Sequence, residues 1–277
     1  MLTTLKGILS LHNIELVGAI PMSKCKLIRP YKLKSAGFDA LDGLNVVVFA
    51  IPYYTKREAS NVSAYASARD YHLFASELFD SVLAQMRKKF PTFRFVGFAD
   101  NSPIAEVHAA AMAGLGVIGD NMMLITDKYS SYVFLGEIIT DAPIEVKDNY
   151  EIGACEHCGC CKLACPMERI GTCLSALTQK KGELTPDEQS AIVQYGYAWG
   201  CDICQEACPH TKRAITDGTI YTPIEFFKKD ITSYLTKDDV KNMTDEQFSC
   251  RAYSWRGKET ITRNLAILEK HTKKEEL

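Results

Sequence analysis

The chain has 277 residues, of which 47% are hydrophobic and 24% are charged, as in ordinary globular proteins. Its 32 Lys and Arg residues against 34 Asp and Glu residues give a net charge of -2. This balance excludes an overall basic field for nucleic acid and leaves a local basic patch open. No apolar run is long enough to span a membrane, and the N-terminus lacks the apolar segment of a secretory signal. These features predict a cytoplasmic protein with no membrane partner.

The N-terminal part of the chain alternates predicted helices and strands. Helical spacing of leucines predicts a helix over residues 2–12, and a short strand is expected over residues 16–20. Two prolines and two glycines indicate an irregular excursion over residues 21–43. The continuous apolar, β-branched run of residues 44–51 predicts a strand that is covered on both faces.

The next predicted elements end at a candidate acid, Asp100. An apolar stripe predicts a helix over residues 59–90, and residues 93–99 predict a strand that Asp100 follows directly. A helix is expected over residues 101–113, with Pro103 in its first turn. From its position alone, Asp100 is either a helix-capping carboxylate or a catalytic acid.

The remaining elements are shorter. Residues 114–119 form a glycine-rich turn, which ends a helix instead of opening one and is therefore no dinucleotide fingerprint. Strands are expected over residues 122–126 and 132–139, paired with each other across a turn. Helices are expected over residues 186–197, 224–234, 238–248 and 259–270.

Eight spaced cysteines organise the stretch from residue 155 to residue 208. The first run reads C-x2-C-x2-C-x3-C and the second reads C-x2-C-x3-C, each followed by proline, as in bacterial ferredoxins. A further cysteine between the runs completes the number needed for two 4Fe-4S clusters. Because the cysteine after the x3 spacing enters a helical turn and points away, the runs should exchange their last members. The predicted ligands are Cys155, Cys158, Cys161 and Cys208 for one cluster and Cys165, Cys173, Cys201 and Cys204 for the other.

Zinc and disulfides are the alternatives for these cysteines. A zinc ribbon uses four cysteines and needs neither the third x2 member nor proline after each run. Disulfides require an oxidising compartment, which the N-terminus does not indicate. Using Cys160 in place of Cys161 gives spacings that fit a ferredoxin poorly, and Cys25 and Cys250 have no assigned role.

Several motifs occur in a fixed order and resemble those of one family. They are Ala68-Arg69-Asp70-Tyr71-His72, Asp100-Asn101-Ser102-Pro103, Gly114-Leu115-Gly116-Val117-Ile118-Gly119, Phe134-Leu135-Gly136-Glu137-Ile138, the cysteine runs, Cys173-Leu174-Ser175-Ala176-Leu177-Thr178, Gly200-Cys201-Asp202-Ile203-Cys204-Gln205 and Arg263-Asn264-Leu265-Ala266. From about residue 44 onward the chain resembles the epoxyqueuosine reductases, and more distantly the reductive dehalogenases.

The resemblance implies an α/β (α+β) cobalamin-binding reductase core with an inserted bacterial ferredoxin-like double 4Fe-4S domain. The expected boundaries are 1–148 for the core, 149–215 for the cluster domain and 216–277 for a C-terminal segment that packs on the core. The cofactors would be two 4Fe-4S clusters and base-off cobalamin. A low-potential electron donor, ferredoxin or flavodoxin, would supply electrons through the clusters to cobalt.

The resemblance also implies roles for individual residues. Asp100 would be the catalytic proton donor, and burial that raises its pKa would suit this role. Cobalamin contacts would come from Leu124 and Leu135 on one side and Ser175 and Asp202 on the other, and Arg69, Tyr71 and His72 would make further cofactor contacts. The chain has no D-x-H-x-x-G motif to supply a histidine ligand to cobalt, which agrees with base-off cobalamin.

Two departures from the family pattern bear on the substrate. Val117 and Asp120 stand where the family has Trp and Lys, and the sequence ends soon after Arg263-Asn264, where many relatives continue into helical repeats that hold tRNA. With the negative net charge, these departures weaken tRNA as a partner. The sequence predicts reduction of epoxyqueuosine to queuosine in tRNA. The alternatives are a reductase of a small-molecule epoxide or halide and a corrinoid electron-transfer protein.

Overall fold

The computed structural model describes residues 1–146 and 152–275, so the expected boundary at residue 148 lies outside the described residues. The strands are β1 Val17–Pro21, β2 Asn45–Pro52, β3 Phe95–Phe98, β4 Val117–Ile118, β5 Leu124–Ile125 and β6 Val133–Thr140. The helices are α1 Leu2–Ser10, α2 Tyr31–Ser35, α3 Ala64–Ser67, α4 Tyr71–Lys89, α5 Glu106–Met112, α6 Cys160–Ala164, α7 Met167–Ile170, α8 Leu174–Thr178, α9 Pro186–Tyr195, α10 Ile203–Glu206, α11 Pro209–Thr216, α12 Lys237–Asn242, α13 Asp245–Ser249 and α14 Lys258–Glu275. None of these described helices is both long and apolar enough to cross a membrane.

The chain forms two compact units, each assembled from separate segments. The first contains Met1–Tyr53, His72–Gly159 and His210–Ile224. The second contains Tyr54–Tyr71, Cys160–Pro209 and Glu225–Leu277. The boundaries expected for the cluster domain and the C-terminal segment remain predictions.

The first unit is built on an antiparallel sheet with the strand order β1-β2-β6-β3. Every residue of β2 is buried, which confirms the expected coverage of both faces. On one face, Val46, Val48 and Ala50 join the core cluster that includes the alanines of α5. On the other face, Phe49 packs edge-on against Phe79 of α4 at a ring distance of 6.1 Å. The fold is therefore mixed α and β, with helices on both sides of the sheet.

The second unit is mostly helical around α14. Asn264 of α14 is fully buried, and its amide donates to the carbonyl oxygens of Thr178 and Ala198 at 2.7 and 2.8 Å. These bonds satisfy main-chain acceptors that would otherwise be buried without a partner. Helix α6 packs against α10, so the segments that carry several of the predicted cysteine ligands lie together.

The prediction of one helix over residues 59–90 is wrong for the first part of this range. The chain forms the short helix α3, is extended at Ala68, and begins α4 only at Tyr71. Arg69 forms a β-bridge with Arg251, and the N–H of Asp70 donates to the carbonyl oxygen of Cys250. These main-chain hydrogen bonds replace those of a helix. The apolar periodicity of the sequence does not predict them.

The helix expected over residues 101–113 also begins later, at Glu106. The carbonyl oxygen of Pro103 accepts the N–H groups of Ile28 and Arg29, and Leu27 forms an antiparallel bridge with Ile104. Residues 101–105 are thus held as a loop by a distant segment of the chain.

The expected pairing of residues 122–126 with 132–139 is wrong as well. Strand β5 pairs with β4, and β6 lies between β2 and β3 in the main sheet. The apolar β6 gains two partners in the sheet interior, whereas a two-strand hairpin would leave one edge open.

Towards the C-terminus, residues 224–234 contain only the 3-10 turn Glu225–Lys228, and residues 238–248 are divided between α12 and α13, each with its own capping box.

Candidate active site

Asp100 lies in the loop after β3, and its side chain is 68% exposed. Its φ of 63° is left-handed, a conformation that costs a residue other than glycine about 1 kcal/mol and that occurs often at functional sites. The Asp100 N–H donates to Glu106 Oε1 at 3.0 Å, which helps to hold this conformation. The N-cap of α5 is Ala105, so the helix-capping alternative for Asp100 is wrong.

The closest charged partner of Asp100 is His72, in the first turn of α4. His72 Nε2 lies 3.6 Å from Asp100 Oδ2, and both side chains are at least half exposed. This contact lowers the pKa of Asp100, and the charges of Arg29 and Lys32 lower it further. The raised pKa that would suit a proton donor is therefore not found for Asp100. The carboxyl group is ionised at neutral pH, and His72 is placed to share a proton with it.

A buried carboxyl pair lies behind the Asp100 loop. Glu137 of β6 is fully buried beside Glu106 and Ser102, and neither of its carboxyl oxygens has a hydrogen-bond partner among the described residues. Burial raises the pKa of Glu137 well above its ordinary value and that of Glu106 to about 7. Burial therefore keeps Glu137 protonated at neutral pH, and Glu106 accepts a hydrogen bond from the main-chain N–H of Asp100. The sequence signal was a glutamate within an apolar strand.

This pair predicts a stability that depends on pH. Because the folded chain retains protons that the unfolded chain releases near pH 4.5, the pair's contribution is complete below that pH and is lost as the pH rises through about 7. Between pH 5 and pH 8, the free energy of unfolding should fall about 2 kcal/mol further in the wild type than in Glu137→Gln. Urea unfolding followed by circular dichroism measures this difference. Equal pH dependence in the two proteins would refute the proposed protonation.

Three predicted cluster ligands, Cys173, Cys201 and Cys204, lie in the second unit. Burial, and to a smaller extent the neighbouring Asp202, Cys204 and Cys173, raises the pKa of the Cys201 thiol to about 12. Cys165 follows α6, and this helix packs against α10, where Cys204 lies. The four residues of the second predicted ligand set thus all lie in the second unit, and their role as ligands remains a prediction.

Cys155 and Cys158 lie in the first unit, while Cys161 and Cys208 belong to the second, so this ligand set stays a prediction from spacing. Near Cys155, the His157 ring nitrogen Nδ1 lies 2.8 Å from Asp120 Oδ1 and 3.7 Å from Cys155 Sγ. Asp120, the departure from the family lysine, thus pairs with a histidine of the first cysteine run.

Asp202 is fully buried, and its carboxylate is bound entirely within the second unit. It accepts hydrogen bonds from Arg57 at 2.8 Å, from the Ser63 hydroxyl at 2.5 Å and from the Ala64 N–H at 2.6 Å. Gly200 has a φ of 71°, and a Cβ there would lie 2.4 Å from Ser63 Cβ. The structure shows Asp202 as an anchor of the second cysteine run, and its contact with a cofactor remains a prediction.

The other expected cofactor residues lie in different surroundings. Leu124 is buried in the first unit's core, with Leu135 packed at its edge. Ser175 accepts from the Gln179 amide at 3.1 Å. The Arg69 guanidinium lies 5.2 Å from the centre of the Phe226 ring. Tyr71 is half-buried at the start of α4.

No family model matches the chain. Curated relatives include the epoxyqueuosine reductase of Gloeobacter violaceus, 31% identical over 217 residues that cover 74% of this chain and 68% of the relative. The epoxyqueuosine reductase of Listeria monocytogenes is 30% identical over 249 residues, which cover 81% of this chain and 63% of the relative. The chain thus spans about two thirds of the length of these relatives.

Solved structures share the fold. Epoxyqueuosine reductase from Streptococcus thermophilus superposes with a TM-score of 0.75 at 23% identity, over 96% of this chain and 80% of that one. An epoxyqueuosine reductase bound to an epoxyqueuosine-modified tRNA-Tyr stem loop gives a TM-score of 0.74 at 22% identity, over 98% and 82% of the two chains.

With the ordered motifs, these sequence similarities define the chain as an oxidoreductase. It belongs to the epoxyqueuosine reductase family.

Proposed function

We propose that the chain reduces epoxyqueuosine to queuosine in tRNA, with two 4Fe-4S clusters and cobalamin as cofactors. The observation that carries the proposal is the Asp100 and His72 pair, exposed at the end of β3 in a chain of this family. The names of the relatives and the related structure with a modified tRNA stem loop support the substrate.

The reaction needs protons as well as electrons. Removing an epoxide oxygen to leave a double bond takes two electrons and two protons, and the oxygen leaves as water. Once it is protonated, the exposed Asp100 carboxyl group can deliver that proton to the oxygen as negative charge develops there. His72, 3.6 Å away, is placed to return a proton to Asp100. The loop fixed by Glu106 orients the acid towards solvent, where a substrate can reach it.

The cysteine sites fit iron-sulfur clusters in their donor chemistry. Thiolates are the ligands of 4Fe-4S clusters, and Cys173, Cys201 and Cys204 all belong to the second unit, which supports their assignment to one cluster. Such clusters would pass electrons from a low-potential donor, ferredoxin or flavodoxin. A reducing, cytoplasmic location suits them.

Cobalamin is proposed from the ordered motifs. When bound, it supplies a cobalt centre that transfers electrons to the substrate. The residues proposed to hold it are Leu124, Leu135, Ser175, Asp202, Arg69, Tyr71 and His72. Because Leu124 is 3% exposed and the Asp202 carboxylate is fully engaged, these two would contact it through main-chain atoms.

Iron content tests the ligand assignment. Cys173→Ser should lower the iron of the anaerobically reconstituted chain from about eight to about four atoms, because one of two 4Fe-4S clusters loses a ligand. Cys25→Ser is the control and should keep all of the iron, since Cys25 lies outside the cysteine runs and its thiol donates to the Pro21 carbonyl oxygen at 3.8 Å. Bound zinc without iron, or equal loss in both variants, would contradict the assignment.

A cellular experiment tests the function. In a bacterial strain that lacks its own epoxyqueuosine reductase, the chain should restore queuosine in tRNA, measured by mass spectrometry of nucleosides. Asp100→Asn should leave epoxyqueuosine in place. If the iron-loaded wild-type chain leaves as much epoxyqueuosine as the empty vector, the proposed function is wrong.

A further inference from the structure

A local basic patch lies within residues 22–35. Between Glu15 and Asp39 the chain has no acidic residue, and it has five cations, Lys24, Lys26, Arg29, Lys32 and Lys34. Lys24, Lys26 and Lys34 are exposed. Within the described part of the chain, none of the five is in an ion pair. The chain therefore has a local concentration of positive charge, although its net charge is negative.

The basic patch is fixed to the Asp100 loop by main-chain bonds. The N–H groups of Ile28 and Arg29 donate to the Pro103 carbonyl oxygen at 2.9 and 3.0 Å, and the N–H of Ala105 donates to the Lys26 carbonyl oxygen at 2.8 Å. The Arg29 guanidinium also donates to the Ser102 carbonyl oxygen at 3.1 Å. Both segments lie in the first unit, so the cations have a defined position beside the candidate acid.

Exposed apolar side chains stand among these cations. Tyr31 is 64% exposed and Ile28 is 48% exposed. An exposed aromatic ring between cations is the combination that binds unpaired nucleotides, because bases stack on the ring while cations contact phosphates. The positive charge also reaches the acid, since Arg29 and Lys32 lower the pKa of Asp100.

We propose that residues 24–34 form the surface that binds the phosphates of the tRNA stem loop beside Asp100. This inference rests on the proposed function, because the polyanion it names is the substrate of that reaction. An acidic electron-donor protein is the other candidate for a basic surface. The exposed Tyr31 and the bonds to the Asp100 loop favour RNA, because the modified base must reach Asp100 while a donor must reach the clusters.

The test compares two double variants that remove equal charge. Lys32→Ala/Lys34→Ala changes the basic patch, and Lys88→Ala/Lys89→Ala changes exposed lysines at the end of α4. Binding of an unmodified tRNA stem loop is measured by fluorescence anisotropy across a series of salt concentrations. We expect the first variant to bind at least about tenfold more weakly at 0.1 M salt, with a salt slope smaller by about one to two. The second should bind like the wild type.

Stacking is tested separately at Tyr31. Tyr31→Ala should weaken binding about fivefold or more, and Tyr31→Phe should restore it, because the ring stacks without its hydroxyl group. Unchanged affinity and salt slope in Lys32→Ala/Lys34→Ala would overturn the proposal. A second result would also overturn it: the variant binds RNA normally, and its turnover is slower with ferredoxin or flavodoxin as reductant but normal with a chemical reductant. This result would assign the surface to the electron donor.

The binding assay keeps this inference separate from the proposed function. A wild-type chain that binds the stem loop through the basic patch but converts no epoxyqueuosine would sustain the surface and refute the reaction. A chain that converts epoxyqueuosine while both double variants bind equally well would refute the surface alone.

Discussion

Replacement of Asp100 by Asn should lower turnover of the cofactor-loaded chain at least about a hundredfold. A general acid contributes about 10²- to 10⁴-fold, and the amide that replaces it has the same shape but no proton to give. Single-turnover conversion of epoxyqueuosine in tRNA, followed by nucleoside mass spectrometry, measures the effect. Because the side chain is 68% exposed and outside both predicted ligand sets, iron and cobalt content should equal those of the wild type.

His72→Gln provides the companion measurement. The His72 contact is the largest influence that lowers the pKa of Asp100. Without His72, the pKa of Asp100 should rise towards its ordinary value, so turnover should fall off at a higher pH than in the wild type. An Asp100→Asn chain that turns over at the wild-type rate excludes a catalytic acid role for Asp100. Identical pH profiles of wild type and His72→Gln exclude proton sharing.

Replacement of Asp202 by Ala should destabilise the second unit by about 3–5 kcal/mol. The change leaves the Arg57 guanidinium, 6% exposed, without its buried carboxylate, and removes the acceptor of the Ser63 hydroxyl and the Ala64 N–H. The free energy of unfolding by urea, followed through the fluorescence of the buried Trp199, measures the loss.

The matched control for Asp202 is Glu225→Ala. Glu225 forms an exposed ion pair with Lys228 in the same unit, and such pairs contribute little, so its stability should not change measurably. A loss below about 1 kcal/mol in Asp202→Ala would contradict the structural role assigned to its carboxylate.

The elements that were predicted correctly from the sequence are those whose apolar residues recur with a clear period. The buried run of β2 and the helices near α1, α9 and α14 are confirmed because local apolar pattern and tertiary burial agree there. The errors fall where distant segments supply the hydrogen bonds. The Pro103 carbonyl oxygen accepts hydrogen bonds from the N–H groups of residues 28 and 29, and the Asp70 N–H donates to the Cys250 carbonyl oxygen. Neither contact produces a periodic pattern of apolar residues in the sequence.

The candidate site was predicted in part. The order of motifs located Asp100 and His72, and the structure places them 3.6 Å apart. The sequence did not show that Asp100 is exposed beside His72, Arg29 and Lys32, which lower its pKa. The partner of Glu137 could not be inferred, since Glu106 meets it only after α5 packs on the sheet.

The most direct test of the account is anaerobic reconstitution with iron, sulfide and cobalamin, followed by incubation with epoxyqueuosine-containing tRNA and a strong reductant. The account predicts about eight irons, one base-off cobalamin and conversion of epoxyqueuosine to queuosine with loss of one oxygen atom. A chain that carries both cofactors in full yet leaves the epoxide intact would contradict it.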